Sequence, residues 1–188
     1  MEQLPRLYLS RDQMMKRIAR FKDLKGFDGG LPDSKMKGCE RTLFNVLGFQ
    51  PPDDIGEGGV TSPVGAQAAV MAAIKIREGF NLGYCKATPG HGPEMHNHDT
   101  NETFIPMTGT WRASWEDQDG KVDYVDLGPF DVVSFPPGMI RRFENVTKGD
   151  PNAESILMFV IGGDTPRAEF TDQAMQRLEA AGAWSPQH

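Results

Sequence analysis

The stretch Gly90-His91-Gly92-Pro93-Glu94-Met95-His96-Asn97-His98-Asp99-Thr100-Asn101-Glu102, running on to Gly109, decides how this chain is read. It places three of the four histidines within eight residues. Residues 94–98 and 102–108 read as two short strands parted by a polar turn. Successive side chains of a strand point to opposite faces, so His96 and His98 share one face. Glu102 opens the next strand and can return a carboxylate to that face. Two imidazoles and one carboxylate form a facial set suited to Fe(II), with open positions for substrate and oxygen. A lone strand histidine is usually a surface or satisfied core residue; an alternating pair followed by a carboxylate is harder to obtain by accident. Glu94 has the parity of the two histidines. It is a candidate replacement carboxylate or general base, or else an exposed turn acid. His91 has the opposite parity but lies in a turn, from which it can fold over the site or remain a loop histidine. Phe104 shares the parity of Glu102 and lines the pocket or packs the core.

Outward from this stretch the pattern stays β. Residues 80–87, 110–116, 122–127, 131–135, 139–146 and 154–161 read as strands, with Asp119-Gly120 as a hairpin turn and Pro136-Pro137-Gly138 as another. Trp111, Ala113 and Trp115 form one face of a strand, a pattern typical of a core or a dimer interface. Glycine (21) and proline (14) are frequent enough among 188 residues that long helices cannot dominate. Short strands joined by such turns predict a sandwich or barrel. Upstream, residues 42–49 read as a strand, 27–38 as a loop, 51–63 as an irregular crossing and 66–76 as ambiguous. A capping box at Ser10 and Gln13, with Met14, Ile18 and Phe21 at helical spacing and Gly26 as a stop, predicts a helix over 11–25. Met175, Leu178 and Ala181, ahead of Gly182, predict a terminal helix over 171–181.

The charge balance removes several classes of function. The net charge is −6 and the pI about 5.2. No basic excess exists to displace counterions from nucleic-acid phosphates or to hold an anionic membrane. The longest apolar runs, 68–74 and 156–161, are too short to cross a bilayer. No basic segment followed by an apolar one opens the chain, so a cytoplasmic protein is expected. Cys39 and Cys85 then read as free thiols, and the sequons at Asn101 and Asn145 carry no meaning. There is no Gly-x-Ser-x-Gly elbow, no Gly-x-Gly-x-x-Gly and no P-loop.

Gly90, His96, His98, Glu102 and Gly109 stand as G-x5-H-x-H-x3-E-x6-G, and this resembles the first motif of the cupin superfamily. The second cupin motif, G-x5-P-x-G-x2-H-x3-N, is kept at Pro136, Gly138 and Asn145. Phe130 stands in place of its glycine and Arg141 in place of its histidine. The resemblance covers about 80–161 and one motif pair, as in a monocupin. It implies an all-β fold: a double-stranded β-helix or jelly-roll barrel with an N-terminal helical extension and a C-terminal helix. The expected division is 1–78 as an extension of a helix plus added strands packed on the barrel, 79–165 as the barrel, and 166–188 as the C-terminal helix and tail. Homodimerisation is a habit of the superfamily.

In many cupins these motifs hold one metal through three histidines and a glutamate. Carried over, His96, His98 and Glu102 fill three places and Arg141 the fourth. A guanidinium has only donors and cannot be a ligand. Two readings stand open. In one, His96, His98 and Glu102 hold a divalent metal, Fe(II) first with Mn, Ni or Zn as alternatives, and Arg141 binds an anionic substrate through its fork. That reading implies an oxygenase of the dioxygenase kind acting on a small anionic metabolite, with Arg141 and Glu94 in catalysis and Arg141, Phe104 and His91 on the substrate. In the other the metal is absent, Arg141 pairs with Glu102, and the barrel is an isomerase or epimerase on a sugar or keto-acid, or a ligand-binding module without catalysis.

Overall fold

A computed structural model describes residues 4–50, 60–65 and 68–184. Among the described residues, eleven strands build two antiparallel sheets, as the alternating sequence requires. They are β1 (Thr42–Leu47), β2 (Val60–Thr61), β3 (Phe80–Ala87), β4 (His96–His98), β5 (Glu102–Pro106), β6 (Trp111–Glu116), β7 (Val122–Leu127), β8 (Val133–Phe135), β9 (Arg141–Asn145), β10 (Ser155–Gly162) and β11 (Ala168–Phe170). One sheet runs β1-β3-β10-β5-β8 and the other β2-β11-β4-β9-β6-β7. β1 and β11, which lie outside residues 79–165, are hydrogen-bonded into these sheets beside β3 and β4.

The inner faces follow from period two. β5, β9 and β10 alternate buried with half-buried residues along their whole length. Leu43, Cys85, Phe104, Trp111, Phe135, Phe143, Leu157, Phe159 and Ile161 meet between the sheets as one core. Trp111 and Ala113 point into it, with Trp115 packed against its edge, so the tryptophan face is core.

The described residues also hold three α-helices: α1 (Arg11–Met15), α2 (Ala68–Met71) and α3 (Asp172–Ala180). The capping box of α1 forms, Ser10 and Gln13 each closing on the other's backbone. The helix nevertheless ends at Met15, not at Lys25. None of its residues is buried, so no packing supports further turns. Arg20 is extended, and Phe21 turns out of the helical path to stack against Phe44 and Tyr84, ring centroids 5.7 and 5.3 Å away. α3 starts where expected, Thr171 capping Ala174 N at 3.2 Å. Its buried face is Ala174 and Leu178 with Met175 beside them, packed on Phe170 and Met36; Ala181 lies outside it, exposed. Within 66–76 a single helical turn is followed by Ile74, which makes a parallel bridge to Leu47. The crossing expected over 51–63 falls mostly outside the described residues.

Candidate metal centre

β4 and β5 belong to different sheets, so the chain changes sheet between His98 and Glu102. Both strands turn their odd-looking polar residues inward: His96 and His98 from β4, Glu102 from β5. One donor atom from each of the three lies within 4.8 Å of the others, and all three residues are buried. His98 Nε2 is 3.3 Å from Glu102 Oε2. Donors bound to one ion at about 2.1 Å sit roughly 3–4 Å apart, so this spacing fits a single metal. His96 donates Nδ1–H to the Glu94 carbonyl at 2.7 Å, which fixes its tautomer and leaves Nε2 with a free lone pair.

Electrostatics keep both imidazoles neutral. Burial, reinforced by the Arg141 charge, pushes the His96 pKa down to about 3, against the pull of the Glu94 carbonyl. Burial and the same guanidinium hold His98 well below its usual range. Burial raises the Glu102 carboxyl, and its ion pair with Arg141 works against that rise. Neutral imidazoles are the form that coordinates a metal, so the donor set fits one.

Arg141 starts β9 directly opposite His96 in register, facing inward. It is fully buried, donates Nη2–H to Glu102 Oε2 at 2.8 Å and Nη1–H to the Met139 carbonyl at 3.2 Å. Its Nε is buried with no hydrogen-bond partner. The other expected residues stand further off. Glu94 precedes β4 and is buried, but its carboxylate is taken by Arg177 of α3 and by the Cys39 thiol, which is 3.6 Å away. His91 lies in the turn before β4, its Nδ1 within 3.1 Å of Pro89 O and its Nε2 3.3 Å from Glu40. Phe104 packs edge-on against Phe135 and Phe143, centroids 5.5 and 4.9 Å away. The structure therefore brings His96, His98, Glu102 and Arg141 together, and leaves Glu94, His91 and Phe104 around them.

The triad opens on a narrow cavity of about 20 Å³. Its wall is largely apolar: Leu31, Leu43, Pro63, Phe143, Phe159 and Ile161. Sequence reasoning missed Arg41, which also lines the cavity. The signal was present, since Arg41 has the parity of the inward residues Leu43 and Asn45 at the start of an expected strand.

No family model matches this sequence, and no curated protein matches it. Solved structures do. An oxalate oxidase is similar with a TM-score of 0.54 at 12% identity, over 83% of this chain and 64% of that one. This is the cupin fold. Other cupin-like matches have lower scores: an oxalate decarboxylase from Bacillus subtilis at 0.49 (16% identity, 81% of this chain, 29% of that one), and a cupin superfamily protein from Desulfitobacterium hafniense at 0.39 (13%, 48% and 73%). The chain spans 64% of the length of that oxalate oxidase chain. Within this fold His96, His98 and Glu102 face the interior, and Arg141 stands beside them where the second motif has its histidine.

Proposed function

We propose that this cupin is a metal-dependent enzyme acting on a small carboxylate anion, with His96, His98 and Glu102 as the metal donors. One observation carries the reading: three buried donors, two of them imidazoles held neutral, converge within 4.8 Å beside a cavity. A bound ion would supply Lewis acidity and open coordination positions. The Glu94 carbonyl orients His96, and Arg141 orients the Glu102 carboxylate. The interior arginines Arg41 and Arg141 are balanced by Asp33 and Glu102. A dication therefore leaves two net positive charges, which an anionic ligand would meet. An oxygen-dependent reaction at Fe(II) is the specific form this donor set favours. Oxalate, named for the similar oxidase, belongs in the first substrate panel for reasons of size and charge. Protein purified without chelator and loaded anaerobically with Fe(II) should hold close to one ion per chain, and His96→Ala should lose it with the barrel still folded. A trace-level metal content in the wild type, unchanged by His96→Ala, would sink the proposal.

A second reading rests on the 2.8 Å contact between Arg141 and Glu102. In that arrangement the ion pair replaces the metal, a histidine of the pair acts as base, and Arg141, which does not itself line the cavity, acts through Glu102. Turnover that persists in EDTA and disappears in Arg141→Ala selects this reading; turnover abolished by EDTA and restored by metal rejects it.

A further inference from the structure

Arg141 carries the charge expected of a substrate-binding residue, yet it is paired with Glu102, fully buried, and is not among the residues lining the cavity. Arg41 is on the wall, the only cationic side chain among the described lining residues. It comes from the segment before β1, far in sequence from the motif residues. Its guanidinium donates Nη1–H to the Cys39 carbonyl at 2.6 Å and Nη2–H to Asp33 Oδ1 at 2.8 Å. Those two contacts engage two of its five N–H donors. Asp33 is itself fully buried and accepts the Glu94 amide on Oδ2 at 2.9 Å. Asp33 thus clamps Arg41 and also holds the backbone two residues before His96. The surrounding wall is apolar, and a charge-assisted hydrogen bond made in such a setting is strong. A buried ion pair contributes little net stability by itself, so stability alone is a weak reason to place one on a cavity wall.

We propose that Arg41 is the anion-reading residue of this cavity, receiving the carboxylate of a small mono- or dicarboxylate across from His96, His98 and Glu102, with Asp33 setting its orientation and strength. This rests on the proposed reading of the triad as the place where a small anion reacts. The rigid fork suits a planar carboxylate through two parallel N–H···O bonds. The Arg41 charge reaches His96 as well, where it adds to the effect of Arg141.

The test is calorimetric titration of the full chain with oxalate and with glycolate, in the Fe(II)-loaded state under nitrogen and again after EDTA, with metal content measured on each sample. Arg41→Gln should weaken anion binding about tenfold or more, the loss expected for one charge-assisted contact, with metal content unchanged. Asp33→Asn should act in the opposite sense and tighten binding, because it frees Arg41 from its counter-charge while an amide oxygen still accepts the Glu94 N–H. A purely structural role would move both variants the same way. If either single variant fails to fold, Arg41→Gln combined with Asp33→Asn keeps the network neutral and should give a folded barrel that binds neither anion. Binding in Arg41→Gln or in the double variant equal to wild type overturns the proposal. So do weakening in Asp33→Asn and a wild-type protein that binds neither anion in either state. A metal-free wild type that still binds oxalate in an Arg41-dependent way sinks the metal reading and leaves Arg41 in its role.

Discussion

At the scale of single residues, burying Arg141 where the second motif has a histidine has a measurable consequence. Arg141 is wholly enclosed, and Glu102 is its only carboxylate partner among the described residues. Glu102→Gln leaves that guanidinium without a counter-charge and should lower stability by about 3–5 kcal/mol in urea unfolding. Pairing it with Arg141→Met should restore most of the loss; a single variant as stable as wild type would show that the ion pair does not organise the interior. The thiols give a second check. Burial pushes both Cys39 and Cys85 up to about 12. Neither should react with a thiol-titrating disulfide reagent at pH 8 in the native protein, and both should react in guanidinium. The triad was legible in the sequence because period-two alternation is a local rule, and His96, His98 and Glu102 obey it. The true surroundings of Glu94 were not, since its partners Arg177 and Cys39 are 83 and 55 residues away.

At the scale of elements, the turns explain which motif positions tolerate change. Gly109 adopts φ 72°, and a Cβ there would lie 2.1 Å from Ser155 Oγ and 2.4 Å from Thr147 Oγ1. Gly109→Ala combines left-handed strain with a clash and should cost about 2–4 kcal/mol. Gly90 also has positive φ but no neighbour within 4 Å, so Gly90→Ala should cost only the strain, about 1–2 kcal/mol. Denaturant midpoints that ranked the two the other way would contradict this account. Phe130 is the converse case. It keeps the left-handed backbone, φ 71°, at the position where the second motif has glycine, and its ring is 72% exposed. Phe130→Gly should therefore not destabilise the fold. β1 and β3 to β10 were readable to within a few residues because each has its own alternation and its own turn; β2 and β11 were missed, being too short, at two and three residues, to show a period. The length of α1 was not readable, because a helix without a buried face is limited by what Phe21 finds on β1 and β3, and no local pattern reports that contact.

At the scale of the whole molecule, the buried imidazoles link folding to pH. His96 titrates at about 3 when folded and near 6.5 when unfolded, and His98 is lowered in the same sense. Below about pH 6.5 the unfolded chain takes up protons that the folded one refuses, so stability is full above that pH and falls as pH drops. Each histidine contributes a slope of about 1.4 kcal/mol per pH unit. Glu102 acts in the opposite direction, since its raised carboxyl favours the folded state at low pH and disfavours it as pH rises. The metal-free protein should thus lose urea stability steadily from pH 7 to 5, and a flat profile over that range would show that the histidines are not buried as neutral groups. The β fold was legible across the chain because turns and alternation recur throughout it. The shape of the cavity was not, because its wall joins residues that only tertiary folding brings together.

That joint wall has an outcome for how such a barrel can diversify. Leu31, Arg41, Leu43 and Pro63 come from the upstream stretch, while the buried triad comes from residues 96–102. On the proposed reading, selectivity and reactivity are therefore encoded in separable parts of the gene product. Grafting the upstream stretch of one such barrel onto another would change which molecules are admitted while the ligand atoms stay as they were.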